Sequence, residues 1–68
     1  MKDDTKNLGV NLKEIRTRKN VTQGEFADML GVNESFVEDI ENGKINSTLS
    51  IITNLAQVLG VSTGELLK

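Results

Sequence analysis

Residues 23–41 read QGEFADMLGVNESFVEDIE. Apolar side chains fall at Phe26, Ala27 and Leu30, and again at Val37 and Ile40, with Gly31 and Val32 between the two groups. Spacings of three and four residues mark one face of an α-helix, so the stretch predicts two helices joined by a very short turn. Such a turn makes the helices cross steeply and closely. A small residue must then sit where the first helix touches the second, and Ala27 supplies it; Gly31 supplies the backbone freedom that the turn needs.

The same period continues on both sides, at Leu8, Leu12 and Ile15 before the pair and at Ile52, Leu55, Ala56 and Leu59 after it. Gly31, Gly43 and Gly60 each follow a periodic segment, where a helix ends on a left-handed residue. Thr22 with Glu25, and Ser62 with Glu65, have the spacing of capping boxes, and Asn33 and Thr48 are further N-cap candidates. Together these signals predict an all-α, compact five-helix bundle with helices over 8–19, 23–30, 34–42, 49–59 and 63–67. Residues 1–7, rich in charge, read as a flexible N-terminal arm ahead of one domain over 8–68.

Composition narrows the function classes. With 68 residues, 37% apolar and 26% charged, there is room for one small core. The absence of Cys and His removes zinc fingers, disulfide scaffolds and triad hydrolases, and no metal or cofactor is expected. Paired carboxylates such as Glu38 and Asp39 lie on an exposed helix with no His, Cys, Tyr or Trp to work beside them, so an enzyme is not expected. No apolar run approaches the roughly 20 residues of a membrane span and MKDDTKNLG is not a signal peptide, so the expected location is cytoplasmic, without a membrane partner.

The ordered set Arg16, Thr22-Gln23, Ala27, Gly31-Val32, Ile40-Glu41-Asn42-Gly43 and Leu59-Gly60-Val61-Ser62 resembles the Cro/cI-type (Xre family) helix-turn-helix domains of phage and bacterial repressors. That resemblance covers about residues 8–67. It implies a lambda-repressor-like fold and a sequence-specific, repressor-like transcription regulator. Residues 23–30 would form the supporting helix and 34–42 the recognition helix, which enters the major groove of double-stranded DNA. The positions it implies for DNA contact are Gln23 at a phosphate, Asn33, Glu34, Ser35, Phe36, Glu38 and Asp39 along the groove helix, and Asn42 and Lys44 on the backbone. Arg16 and Glu41 match a partly buried salt bridge of the family. Phe36 reads either as a core partner or as a contact to a thymine methyl.

Charge runs against this expectation locally. Residues 1–20 carry six Lys and Arg against three acids, residues 21–43 carry six acids and no cation, and residues 44–68 carry two Lys against one Glu. The helices that would meet DNA are therefore the most acidic part of the chain. Fewer cations mean fewer released counterions and a shallower salt dependence, although a carboxylate can accept a hydrogen bond from the cytosine amino group. A protein-binding module, such as an antitoxin or a partner of another regulator, is the alternative reading. A palindromic operator would call for a homodimer, for which Ile51, Val58, Leu66 and Leu67 form the candidate patch; the alternative is that the last helix packs over Ile51 and Val58.

Overall fold

A computed structural model describes the backbone from Asp4 to Lys68, with side chains from Asn7 onward. Its described residues form five helices and no strand: α1 (Asp4–Arg18), α2 (Gln23–Leu30), α3 (Glu34–Glu41), α4 (Leu49–Leu59) and α5 (Thr63–Leu67). Four of the five fall within a residue or so of the ranges predicted from periodicity. The first does not, because α1 starts at Asp4 instead of residue 8. Of the expected arm, residues 1–3 lie outside the described residues and 4–7 belong to this helix.

Helix ends follow from local chemistry. Thr22 caps α2 with a complete box: its hydroxyl accepts from the Glu25 amide at 3.0 Å, and its own amide donates to Glu25 Oε1 at 2.9 Å. Thr48 caps α4 by accepting from the Ile51 amide at 3.3 Å. Asn33 and Ser62 occupy N-cap positions in extended backbone, yet neither side chain bonds the helix, so the box expected from Ser62 and Glu65 does not form. At the other ends, α2 and α4 stop on Gly31 and Gly60 at φ 75 and 72°, and α3 ends on Asn42, followed by Gly43 at φ 73°. The first helix ends the same way on a residue with a β-carbon, Asn20 at φ 61°: Val21 N–H reaches back to the Arg16 carbonyl and Asn20 N–H to that of Thr17. Asn is the side chain that tolerates this conformation best after Gly.

One core joins all five helices. Leu8, Leu12 and Ile15 of α1, Phe26 and Ala27 of α2, Val37 and Ile40 of α3, Ile52, Leu55, Ala56 and Leu59 of α4, and Leu66 of α5 are all buried. Phe26, Leu12, Val37, Ile40 and Leu66 are completely enclosed. Burial of Leu66 corrects its assignment to a surface patch: α5 lies on α1 as well as α4 and turns this residue inward. Asn11 fixes that placement by donating from Nδ2 to the carbonyls of Leu66 at 2.9 Å and Lys68 at 3.2 Å. The other candidates differ, with Ile51 and Val58 half-buried against the core and Leu67 46% exposed.

One close approach between helices involves Gly9. A β-carbon there would lie 2.5 Å from the carbonyl oxygens of both Ile40 and Glu41, so the absence of a side chain lets α1 rest directly on the end of α3.

Candidate nucleic-acid interface

The placement of α3 depends on what its inner face is tied to. Val37 and Ile40 insert into the core, and Glu41, one residue further on, meets Arg16 of α1. Arg16 Nε donates to Glu41 Oε2 at 2.6 Å and Nη2 donates to Oε1 at 3.1 Å, a two-point contact with side chains only 9% and 2% exposed. The remaining terminal nitrogen, Nη1, donates to the Val21 carbonyl at 2.7 Å. A third donor comes from α2, where Gln23 Nε2 reaches Glu41 Oε1 at 2.9 Å. One carboxylate thus joins α1, α2 and α3.

This geometry changes the place of Gln23. Its amide nitrogen is directed at Glu41 and the residue is half-buried, so the group offered outward at the start of α2 is backbone. The capping box satisfies the Glu25 amide, and Phe26 N–H returns to the Thr22 carbonyl. The amides of Gln23 and Gly24 are the first-turn donors that a helix leaves for an outside acceptor. Glu34 of α3 comes close to this end of α2, since a β-carbon on Gly24 would sit 3.4 Å from Glu34 Oε1.

With its inner face held, α3 turns Glu34, Ser35 and Glu38 to solvent, with Asn33 before them. Phe36 and Asp39 are half-buried, and Phe36 packs against the core, which favours its structural reading over a free contact. Asn42 ends the helix and is exposed, as is Lys44 in the turn to α4. The exposed positions thus run from Asn33 along α3 to Asn42 and Lys44, with Glu34 close to the start of α2. Their charged groups, Glu34, Glu38 and Lys44, have no ion-pair partner among the described residues.

Two signals for this site were absent from local sequence patterns. Nothing in the spacing of Gln23 says that it will bond a residue 18 positions away, and Gly9 lies inside a helical period with no turn to account for it.

Two short helices joined by a tight glycine turn, with the second packed on α1 and α2 and its other face open, define a helix-turn-helix domain. The helix-turn-helix family profile matches residues 12–66, and the chain belongs to this family, in its Cro/cI-type branch. Among its relatives is the SPbeta prophage-derived uncharacterized HTH-type transcriptional regulator YonR of Bacillus subtilis, 42% identical over 61 residues that cover 90% of this chain and 56% of YonR. The uncharacterized HTH-type transcriptional regulator y4dJ of Sinorhizobium fredii is 36% identical, over 94% of this chain and 83% of y4dJ. In three dimensions, the restriction-modification controller protein C.AhdI from Aeromonas hydrophila superimposes with a TM-score of 0.85 at 35% identity, covering 93% of this chain and 96% of C.AhdI. The chain spans just over half the length of YonR and most of the other two.

Proposed function

We infer that this domain is a sequence-specific DNA-binding transcription regulator, repressor-like in action, which inserts α3 into the major groove. The observation that carries the reading is the division of α3 into a fixed inner face, Val37, Ile40 and Glu41, and an open outer face, Glu34, Ser35 and Glu38. A helix rigidly held on one side and free on the other fits a groove about 12 Å wide. The likeness to YonR and y4dJ, both named as transcriptional regulators, supports this reading over the protein-binding alternative.

In this scheme the DNA backbone is met by the amides of Gln23 and Gly24 at the start of α2 and by Asn42 and Lys44 beyond α3. Glu34 and Glu38 accept hydrogen bonds from cytosine amino groups, and Ser35 contacts either kind of base edge. Asn33, Phe36 and Asp39 line the edges of the contact. A homodimer would place two α3 helices on half-sites about 34–36 Å apart in a palindromic operator. Ile51, Val58 and Leu67 remain as its candidate surface once Leu66 is assigned to the core. The reading needs no cofactor, no catalysis and a cytoplasmic location; no helix among the described residues is long and apolar enough to cross a membrane.

Selection from a pool of random duplexes, at low and at moderate salt, tests the proposal. Enrichment of a two-fold symmetric site is the expected result. Failure to retain any duplex at low salt would leave the protein-binding alternative in its place.

A further inference from the structure

Among the described residues Arg16 and Glu41 form the one ion pair, so the other charged side chains are left to the surface, and they segregate by sign. On the solvent face of α1, Val10 is 58% exposed in a shallow depression of about 890 Å³ bordered by Lys13, Arg18 and Lys68 and, where it meets the end of α3, by Asn42. Glu14 is the one uncommitted acid there, since Glu41 is held by Arg16. At the turn from α1 to α2, Val21 and Met29, the latter 53% exposed, line a recess of about 420 Å³ whose charged groups are Glu25 and Asp28, with no cation. Each feature is an apolar centre with charge around it, and the two charges are opposite.

We propose that a second copy of this chain docks head to tail, the basic α1 ledge of one copy covering the acidic α2 recess of the next. Complementary charge selects this occupant, because the ledge offers the cations that the recess lacks, and Val10 can meet Met29 as the charges meet. The ledge reaches α3 only at its end, through Glu41 and Asn42, and the recess lies on α2, so Glu34, Ser35 and Glu38 belong to neither surface. Ledge and recess are different surfaces, so the contact is heterologous and does not close at two copies: it lines domains up in a row. Association rests on exposed charges and is accordingly weak and sensitive to salt.

Sedimentation velocity of the whole chain at about 0.1–1 mM protein tests this, in about 50 mM and about 500 mM salt. The average mass is expected to rise with concentration at low salt and fall back at high salt. A ledge variant, Lys13→Glu with Arg18→Glu, and a recess variant, Glu25→Gln with Asp28→Lys, should each associate about tenfold more weakly. All four positions lie on the surface, and Gln at 25 preserves the capping box, so circular dichroism should match the parent. Mixing the two variants in equal amounts should restore association, because the reversed recess of one now meets the reversed ledge of the other. A chain that stays monomeric at low salt, an association indifferent to both pairs of substitutions, or a mixture that fails to recover would each overturn the proposal.

Discussion

Arg16 and Glu41 lie 25 residues apart in the chain and face each other in a two-point contact, Nε to Oε2 at 2.6 Å and Nη2 to Oε1 at 3.1 Å. Both are buried, and the guanidinium also holds the Val21 carbonyl. A buried pair of this kind gains little net energy over apolar residues, but removing one partner strands a charge in the interior at a cost of about 3–5 kcal/mol. Against a total stability of about 5–15 kcal/mol for a native domain, that is a large fraction. Arg16→Ala should therefore lower the melting temperature sharply or leave the chain unfolded, whereas Arg16→Met with Glu41→Leu should recover most of the loss. A melting temperature for Arg16→Ala equal to that of the parent would refute the role assigned to the pair.

Gly9 and Gly64 should respond to alanine in opposite directions. At Gly9 the new β-carbon meets two backbone carbonyl oxygens at 2.5 Å, neither of which can move without shifting α3. Overpacking of this sort costs about 1–3 kcal/mol, which outweighs the roughly 1 kcal/mol that alanine gains in a helix. At Gly64 the nearest atom is Ser62 Oγ at 3.7 Å, an ordinary contact, so the helix gain stands. Urea unfolding of the two variants gives the comparison, and a stabilised Gly9→Ala would contradict the close approach of α1 to α3.

That contrast shows where the sequence was legible. Gly31, Gly43 and Gly60 could be read as helix ends because a stop signal acts on its own neighbours, and the box of Thr22 and Glu25 could be read for the same reason. The demand on Gly9 comes from residues 40 and 41, and that on Asn11 from the far end of the chain, so neither has a local pattern. Asn20 carried the signal of a left-handed residue but sits where the α1 period fades. The outer face of α3 followed from the helical period, whereas the engagement of Gln23 with Glu41 and the burial of Leu66 depend on how distant helices dock.

Asn11 supplies the last turn of α5 with a donor, bonding the carbonyls of Leu66 and Lys68. Asn11→Ala removes both bonds, at about 1 kcal/mol for a typical bond. The effect should be local: faster amide hydrogen exchange in α5 and an unchanged rate in α2 and α3. Uniform acceleration across the domain would show that α5 is not an independently opening element.

Glu34 should act on stability and on DNA affinity with opposite signs. Its carboxylate lies beside Gly24 at the positive end of α2, an arrangement that stabilises a helix by about 0.3–1 kcal/mol. The same place is where a phosphate would sit. Glu34→Gln is expected to lower the melting temperature slightly while raising affinity for non-specific duplex, measured by fluorescence anisotropy. If affinity falls together with stability, DNA does not approach α2 by this end.

Lys44 is the cation nearest in sequence to α3, and each neutralised phosphate contributes about 0.9 to the slope of log K against log salt. Lys44→Gln should make that slope shallower by about this amount, with little change in base preference. A slope equal to the parent's would remove Lys44 from the contact.

In the proposed function α3 is the element that reads DNA, and amide chemical-shift mapping of the whole chain with the duplex enriched from the random pool addresses this directly. Perturbations are expected at Gln23 and Gly24, from Asn33 to Glu38, and at Asn42 and Lys44, leaving α5 quiet. Shifts confined to α1 and α5, or none at low salt, would contradict it.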